Sequence, residues 1–577
     1  MIGLKNKLNS MNRETKNTSA GSVRVCQNCK KDFVIESEDF NFYEKIKVPA
    51  PTFCPDCRSQ RRMAFYNVFR LHKRKCDLCQ KEMISIHPAD TPYKIYCPQC
   101  WWSDKWDPFS YGRDYDFSRS FFDQFDELWR QVPQASLETD YATLENSEYT
   151  NQVGHLKNCY LTFFADFNED CMNGFYLLKN NSLLDTSLIM QSERCFDSMN
   201  IFKSNHCVGS KNTNESLDCI FTKDCINCQN CFASVNLRNK KYYIFNKPYT
   251  KEAYFEEIKK WDLGSYATYQ GIKKQAEEHW KKFPPRPIYD DFSVDCTGSY
   301  VFQSKNCQQC FEVTGAENSK YICFSYLPPI KDTYDLTAWG NNVSLCYEVC
   351  SCGEGASELK FCRGCGLGSY DLEYSAYCWP HASHLFGCIS VKNGSYCILN
   401  KRYSEEDFKK LKEKIIVQMK ERKEYGEFFP ITLSPFVYND TMAQNFFSLS
   451  EEQAKIKGII WQNFENREYQ FTKKSDDLPD HIKDTVDEIL NEVIECQQCK
   501  KGFKIIKAEL DFLRSMNLPL PRICPFCRIQ EKFNRWVKQM KLYRRKCFQC
   551  GDEFETHYPQ KEVENILCKS CYNSEVA

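Results

Sequence analysis

Sixteen of the chain's 36 cysteines fall into Cys-x-x-Cys pairs near its two ends. Cys26/Cys29 and Cys54/Cys57 open the series, followed by Cys76/Cys79 and Cys97/Cys100. Near the other end come Cys496/Cys499 with Cys524/Cys527, then Cys547/Cys550 with Cys568/Cys571. A Cys-x-x-Cys turn presents two thiolates to one tetrahedral ion, and a second such turn some twenty residues on completes a four-thiolate shell. The spacing therefore predicts four structural Zn2+ ions. Closed shells leave no open position for water or substrate, which favours scaffolding over catalysis. Pairing in chain order is favoured by matching text inside each set. The interleaved alternative, Cys54/Cys57 with Cys76/Cys79, remains open at this level, as do disulfides at one or two sites.

The two ends are copies. Cys496 follows Cys26 by 470 residues and Cys547 follows Cys76 by 471, and "FCPDCRSQRRMAFYNVFRLHKRKCDLC" aligns with "ICPFCRIQEKFNRWVKQMKLYRRKCFQC". Between the paired sites run basic connectors carrying Arg58, Arg61, Arg62 and Arg74 in one copy and Arg528, Arg535, Arg544 and Arg545 in the other, with aromatics interleaved. Such residues are candidate nucleic-acid contacts, the cations for phosphates and the rings for unpaired bases. A solvated helix packed on the metal sites is the plainer reading of the same run.

The stretch from Cys26 to Arg58 resembles a bacterial zinc-binding ribbon family, with Cys26, Cys29, Phe33, Phe42–Tyr43, Pro51 and Cys54-Pro55-Asp56-Cys57-Arg58 matching its pattern. The copy keeps Phe503 and Arg528 but has Phe512–Leu513 where the aromatic pair should stand. The whole chain looks like multi-ribbon proteins of candidate-phylum bacteria. The resemblance implies zinc binding and no particular activity.

The middle of the chain counts in sixes. From Cys159 every sixth residue is mostly apolar or thiol (Cys159, Ala165, Cys171, Leu177, Leu183, Ile189, Cys195), and the residue three later is small or polar (Thr162, Asn168, Gly174, Asn180, Thr186, Ser192, Ser198). Six residues turn a helix by about 600°, so a helix cannot keep such a ladder on one side. A stacked β-solenoid can. Cysteine favours every second hexad, so twelve residues per coil is favoured over eighteen. The spacing Cys-x-x-Ser-x-x resembles that of the twelve-residue solenoids of beetle antifreeze proteins, without their outward Thr-x-Thr face. A further stripe, Tyr160, Met172, Leu184, Phe196, Val208, Ile220 and Phe232, turns outward if the ladder turns inward, and needs a cover. That cover is another domain, a second solenoid or a partner chain. A weaker array follows: Val301, Cys307 and Val313, a loop over 318–342, then Val343/Cys346, Val349/Cys352, Phe361/Gly364 and Leu385/Cys388. Each array ends in a helix capped by Thr250 or Ser404.

Other cysteines and histidines offer further chemistry. "CINCQNC" at 225–231 reads as buried thiols in the solenoid's own register, with metal binding the sharper option. Cys378, His381, His384 and Cys388 form a candidate fifth metal site, and Cys362/Cys365 and Cys350/Cys352 have similar standing. Glycine-rich nucleotide loops and His-Glu-x-x-His motifs are absent.

These pieces define a multidomain, mainly β protein, with four-cysteine ribbons flanking two short-coil β-solenoids that carry capping helices. The expected division is a disordered tail at 1–22, ribbon 1 at 23–60, a connector at 61–75 and ribbon 2 at 76–100. An aromatic helical linker at 101–150 leads to solenoid 1 at 151–249, and a helical cap and linker at 250–290 to solenoid 2 at 291–403. A cap at 404–428, a linker at 429–490 with two short helices, ribbon 3 at 491–530, a connector at 531–546 and ribbon 4 at 547–577 complete it. Within the linker at 101–150, Phe121, Phe122, Phe125, Leu128 and Trp129 line one helix face, read as docking between ribbons and solenoid, with an aromatic ligand site as the sharper option. Lysine plus arginine equals aspartate plus glutamate at 77 each, which argues against binding polyanions through bulk charge. The mean hydropathy of −0.60 and the lack of a long apolar run argue against a membrane span, and the N-terminus lacks the apolar core of a signal peptide. A cytoplasmic location is expected, where thiols stay reduced. The leading functional expectation is a non-enzymatic zinc scaffold that contacts a macromolecule, protein or nucleic acid. The alternatives are an assembly protein that mates with a partner chain or its own copy through the apolar solenoid face, and a metalloenzyme or redox protein using the solenoid cysteines.

Overall fold

A computed structural model describes residues 21–463 and 470–576. All but the last two residues of the expected tail lie outside the described residues.

Each ribbon begins with a short antiparallel hairpin, as in Ser22–Val25 with Asp32–Ile35 and His72–Lys75 with Glu82–Ser85. The first cysteine pair occupies the hairpin turn. The turn closes through a left-handed residue directly after the second cysteine: Lys30, Gln80, Lys500 and Gly551. The second pair begins a helix. Cys54, Cys97 and Cys524 are its N-caps, each followed by a proline, whose fixed φ and missing N–H suit the first helical position.

Solenoid 1 is a parallel stack whose register advances by twelve: Cys207 pairs with Cys219, and Cys219 with Cys231. Twelve residues per coil is thus the correct length. Every third residue is left-handed, for example Leu161, Phe164, Phe167 and Asp170, so each coil has four corners. Crowding at Cβ bars branched side chains from such corners, and no Val, Ile or Thr occupies one. The residue after each corner points inward. Cys195, Ser198, Ile201 and Ser204 of one coil are all buried. Serine suits this narrow core because its hydroxyl accepts a backbone N–H from the coil above: Ser204 N–H donates to Ser192 Oγ, Ser216 N–H to Ser204 Oγ and Cys228 N–H to Ser216 Oγ, each at 3.1 Å.

Solenoid 2 changes its coil length. Gly298 pairs with Cys310 at a spacing of twelve, Ala316 with Ile330 at fourteen, Ile330 with Val343 at thirteen, and Leu385 with Cys397 at twelve again. The expected loop at 318–342 is therefore a wide coil of the solenoid. The Phe361/Gly364 register is also corrected. One extra residue enters at a single corner of successive coils (353–355, 366–368 and 379–381), which shifts the inward set to Leu359, Cys362 and Cys365. Phe361 becomes an outward corner stacked on Tyr374 at 4.8 Å.

The outward stripe of solenoid 1 is covered from within the chain. Met172, Leu184, Phe196, Val208 and Phe232 share one apolar cluster with Tyr269, Ile272 and Trp280 of the helix Tyr266–Trp280 and with Leu510 and Leu513 beside ribbon 3. Of the covers expected for this stripe, another domain of the same chain supplies it, leaving Tyr160 and Ile220 half-buried. The capping helices form as expected, Thr250 and Ser404 accepting from Ala253 and Asp407 N–H. The aromatic helix Phe121–Gln131 docks as expected: Trp129 stacks near Phe65 of the first connector at 6.2 Å, and Phe121 meets Tyr374 of solenoid 2 at 5.4 Å. Of the two short helices expected in the linker, Glu451–Ile456 forms with a capping box. The stretch at 478–495 makes 3-10 turns and the short strand Ile494–Glu495 instead of a helix, because Ile482 N–H bonds Gly264 O and His481 bridges Ser265. Among the described residues no helix is long and apolar enough to cross a membrane.

Candidate metal centres

The four cysteine sets converge as four separate clusters, paired in chain order, with the sulfurs of each within 4.8 Å of one another. Two sulfurs bound at about 2.3 Å to one tetrahedral ion stand about 3.8 Å apart. Cys29–Cys54, Cys79–Cys97, Cys499–Cys524 and Cys550–Cys568 lie at 3.8, 3.9, 3.7 and 3.8 Å. The same backbone bond recurs in every cluster. The first sulfur accepts the N–H of the third cysteine: Cys26 from Cys54 at 3.3 Å, and Cys76, Cys496 and Cys547 from Cys97, Cys524 and Cys568 at 3.2 Å each. Burial works against ionisation of Cys26, yet the N–H donors of Cys54, Cys29 and Asn28 outweigh it and bring the thiol down to about 6. Cys547 reaches about 6 by the same balance. Sulfur spacing and the recurring backbone donor to the first sulfur fit a four-coordinate soft cation, and the interleaved pairing is excluded.

The residue directly after the last cysteine fastens each ribbon to a solenoid. Arg58 Nε bonds Asp335 at 2.9 Å, and the Trp101 ring receives the Lys392 ammonium at 3.8 Å, both in solenoid 2. Arg528 pairs with Asp185, and Tyr572 OH donates to Asn236 at 2.9 Å, both in solenoid 1. The ends are therefore largely crossed: the N-terminal ribbons seat on the second solenoid and ribbon 3 on the first, while ribbon 4 touches both, with His557 also against Ser299 and Tyr300 of solenoid 2.

The basic connectors are largely interior. Arg58 and Arg62 are 1% exposed and share Asp335, while Arg61 pairs with Glu348 and Glu427. Arg528 is 6% exposed between Asp185 and Glu509. Arg74 and Arg545 brace their own ribbons through Pro88 O and Tyr558 O. The nucleic-acid expectation is corrected for Arg58, Arg61, Arg62, Arg74 and Arg528, which lie buried on carboxylates and carbonyls with no face for a phosphate. Arg535 is half-buried and pairs with Glu531 one turn back, and Arg544 is exposed. Sequence reasoning missed the acceptors. Asp185 and Asp197 occupy one column twelve residues apart, and once twelve is adopted that acidic column beneath two basic connector residues is visible.

The solenoid cysteines do not gather into comparable sets. Cys225, Cys228 and Cys231 line the coil interior, their thiols donating to the carbonyls of Lys223, Ile226 and Gln229. Cys378 and Cys388 are likewise interior, whereas His381 is an exposed corner and His384 Nδ1 bonds Asp371 at 2.7 Å. Cys362 donates to Leu372 O, and Cys350 and Cys352 face opposite sides of the coil wall. Among the described residues, groups of three or more ligands able to share one ion occur at the four ribbons alone. The chain is a mainly β protein with a central solenoid of repeats and zinc-ribbon-like cysteine clusters near both ends; no family model matches it, and a search of curated proteins finds no match.

Proposed function

We propose that the protein is a zinc-stapled, non-catalytic scaffold, holding four Zn2+ ions whose ribbons lock two solenoids into one rigid body. The carrying observation is the fourfold recurrence of a closed sulfur shell followed at once by a residue that fastens to a solenoid. Each ion would be held by its four cysteines alone, so its contribution is folding energy rather than a reactive water. Metal analysis of the purified chain with a parallel free-thiol count tests this. Four zinc per chain, with thermal stability lost on chelation, is the expected result. Iron, or five or more ions per chain, would overturn it in favour of the metalloenzyme or redox reading.

A second reading, contact with nucleic acid, is supported by one surface. Lys538, Lys541, Arg544 and Lys546 are exposed beside ribbon 4. Salt-dependent binding of a single-stranded oligonucleotide, abolished by charge reversal at Lys541, Arg544 and Lys546, would support it. Binding unchanged by that reversal, or absent at low salt, would remove it.

A further inference from the structure

The tryptophan-rich stretch after ribbon 2 encloses a cation. Lys392 Nζ lies 3.8 Å from the ring centre of Trp101, 4.7 Å from that of Trp106 and 5.0 Å from that of Trp102. The ammonium also donates to Trp101 O. Trp102 stands perpendicular to Trp101 at 4.8 Å and Trp106 is tilted from it by 47° at 6.2 Å, so the rings form walls rather than a stack. Those walls are fixed before any ligand arrives. Trp106 Nε1–H bonds Trp101 O at 3.0 Å, Trp101 Nε1–H bonds Pro133 O at 3.3 Å, and Tyr96 packs edge-on against Trp106 at 5.9 Å. Trp102 is 37% exposed, so the box opens to solvent on one side. Burial pushes the amine down to about 8, with Asp104 opposing, which leaves it mostly charged at neutral pH.

Three indole faces around one ammonium are more than docking requires. A single ring against an aliphatic stem would hold ribbon 2 to the solenoid, whereas three converging faces select a positive charge. The enclosed charge is moreover borne by a long, flexible side chain from another element, which can withdraw. We propose that Trp101, Trp102 and Trp106 form an ammonium-binding cage in which Lys392 is a tethered occupant, and that the cage accepts a quaternary ammonium group when the lysine leaves. The ligand class is a trimethylammonium or tetraalkylammonium cation, which needs no hydrogen-bond acceptor and fills the volume left by the lysine head. The proposal needs ribbon 2 folded, since Trp101 follows Cys100 directly and shares its cluster, but it does not depend on which metal, if any, the ribbon holds.

Two measurements on the full chain test it. In the Lys392→Ala protein with its metal content unchanged, ligand-observed NMR should show saturable binding of tetramethylammonium. The wild type should bind about tenfold more weakly, because its tethered amine competes at millimolar effective concentration. Lys392→Ala with Trp102→Ala should show none. Absence of saturable binding to folded Lys392→Ala, or equal binding after loss of Trp102, overturns the proposal. Should Lys392→Ala fail to fold, the wild type carries the test with 13C-labelled lysine. The Lys392 Hε signals, identified by their loss in Lys392→Arg, should lie upfield of the other lysines and return among them in Trp102→Ala. Signals already among the others in the wild type overturn it.

Discussion

Ribbons 2 and 4 are copies 471 residues apart, yet their surroundings differ. The sulfurs of ribbon 2 pack against Tyr96, Trp101, Trp106 and Trp379. In ribbon 4, Cys550 is exposed, Cys568 and Cys571 are half-buried, and the neighbouring Phe548 is 70% exposed. The sulfur geometry is nonetheless the same, at 3.9 Å for Cys79–Cys97 and 3.8 Å for Cys550–Cys568. Shape of the shell therefore comes from the hairpin turn and helix start, while packing around it sets how firmly the ribbon is tied to the rest. The same division runs through the docking helices. Arg58 and Arg62 of Pro55–Ala64 share one aspartate, whereas Arg528 and Lys532 of Pro525–Lys538 each have their own.

The largest expected difference is between the ribbons themselves. A structural zinc in such a ribbon is worth about 10 kcal/mol or more. Cys76→Ser and Cys547→Ser should each lose one zinc per chain, but Cys76→Ser should lower the main calorimetric transition far more, because it also loosens the tryptophan cluster. Equal shifts would show that burial around the shell is irrelevant. Next come the shared and unshared carboxylates. Asp335→Ala strands two buried guanidiniums and should cost about 3–5 kcal/mol in urea unfolding. Asp185→Ala leaves Glu509 on Arg528 and should cost about 1.5–3 kcal/mol. A reversed order would break the comparison.

A third difference is in pH. At equivalent places of the two connectors, Tyr66 OH donates to the amide oxygen of Gln152 at 3.1 Å and Trp536 Nε1–H to a carboxyl oxygen of Glu312 at 2.8 Å. Burial raises the Glu312 carboxyl to about 8, against the bonds from Tyr326 and Trp536. The folded protein thus holds a proton there that the unfolded chain has released, so this group's contribution falls as pH rises from about 4.5 to about 8 and levels above. Unfolding measured between pH 6 and 9 should show a downward slope that Glu312→Gln removes and Gln152→Ala leaves in place. The smallest effect tests the seat of the C-terminal ribbons. Ser204→Ala removes the acceptor for Ser216 N–H and should cost about 1–3 kcal/mol. Ser204→Cys should cost less, since Cys228 already stands in that column with its thiol donating to Ile226 O.

Much of this was readable from residue types alone. The terminal cysteine pairs announce metal shells because each Cys-x-x-Cys is followed by a second one some twenty residues on, whereas the solenoid's Cys-x-x-Cys runs have no such second pair outside the six-residue register. Twelve-residue coils were readable because cysteine marked alternate hexads. The crossed docking was not, for Arg58 and Asp335 are 277 residues apart and a basic run reads alike on a surface and in a core. The coil changes in solenoid 2 escaped because one added residue at a corner displaces every later count, although the glycines at 353, 355, 366 and 368 lie where the displacement occurs. The cage escaped because Trp101 and Lys392 are brought together only by the second solenoid.

The crossed seating also imposes an order on synthesis. Ribbon 1 leaves the ribosome 277 residues before Asp335 exists, a wait of about 15–55 s at ordinary elongation rates. Through that interval Arg58 and Arg62 lack their carboxylate, although Tyr66 and Phe69 of the connector already have Phe164 and Phe163 of solenoid 1 to pack on. Ribbon 3 emerges with Asp185 already in place, 343 residues behind Arg528. The nascent N-terminal ribbons must therefore persist without their solenoid 2 carboxylates, and on the proposed zinc reading metal supplied during translation, rather than after release, would hold the first half together until its seat arrives.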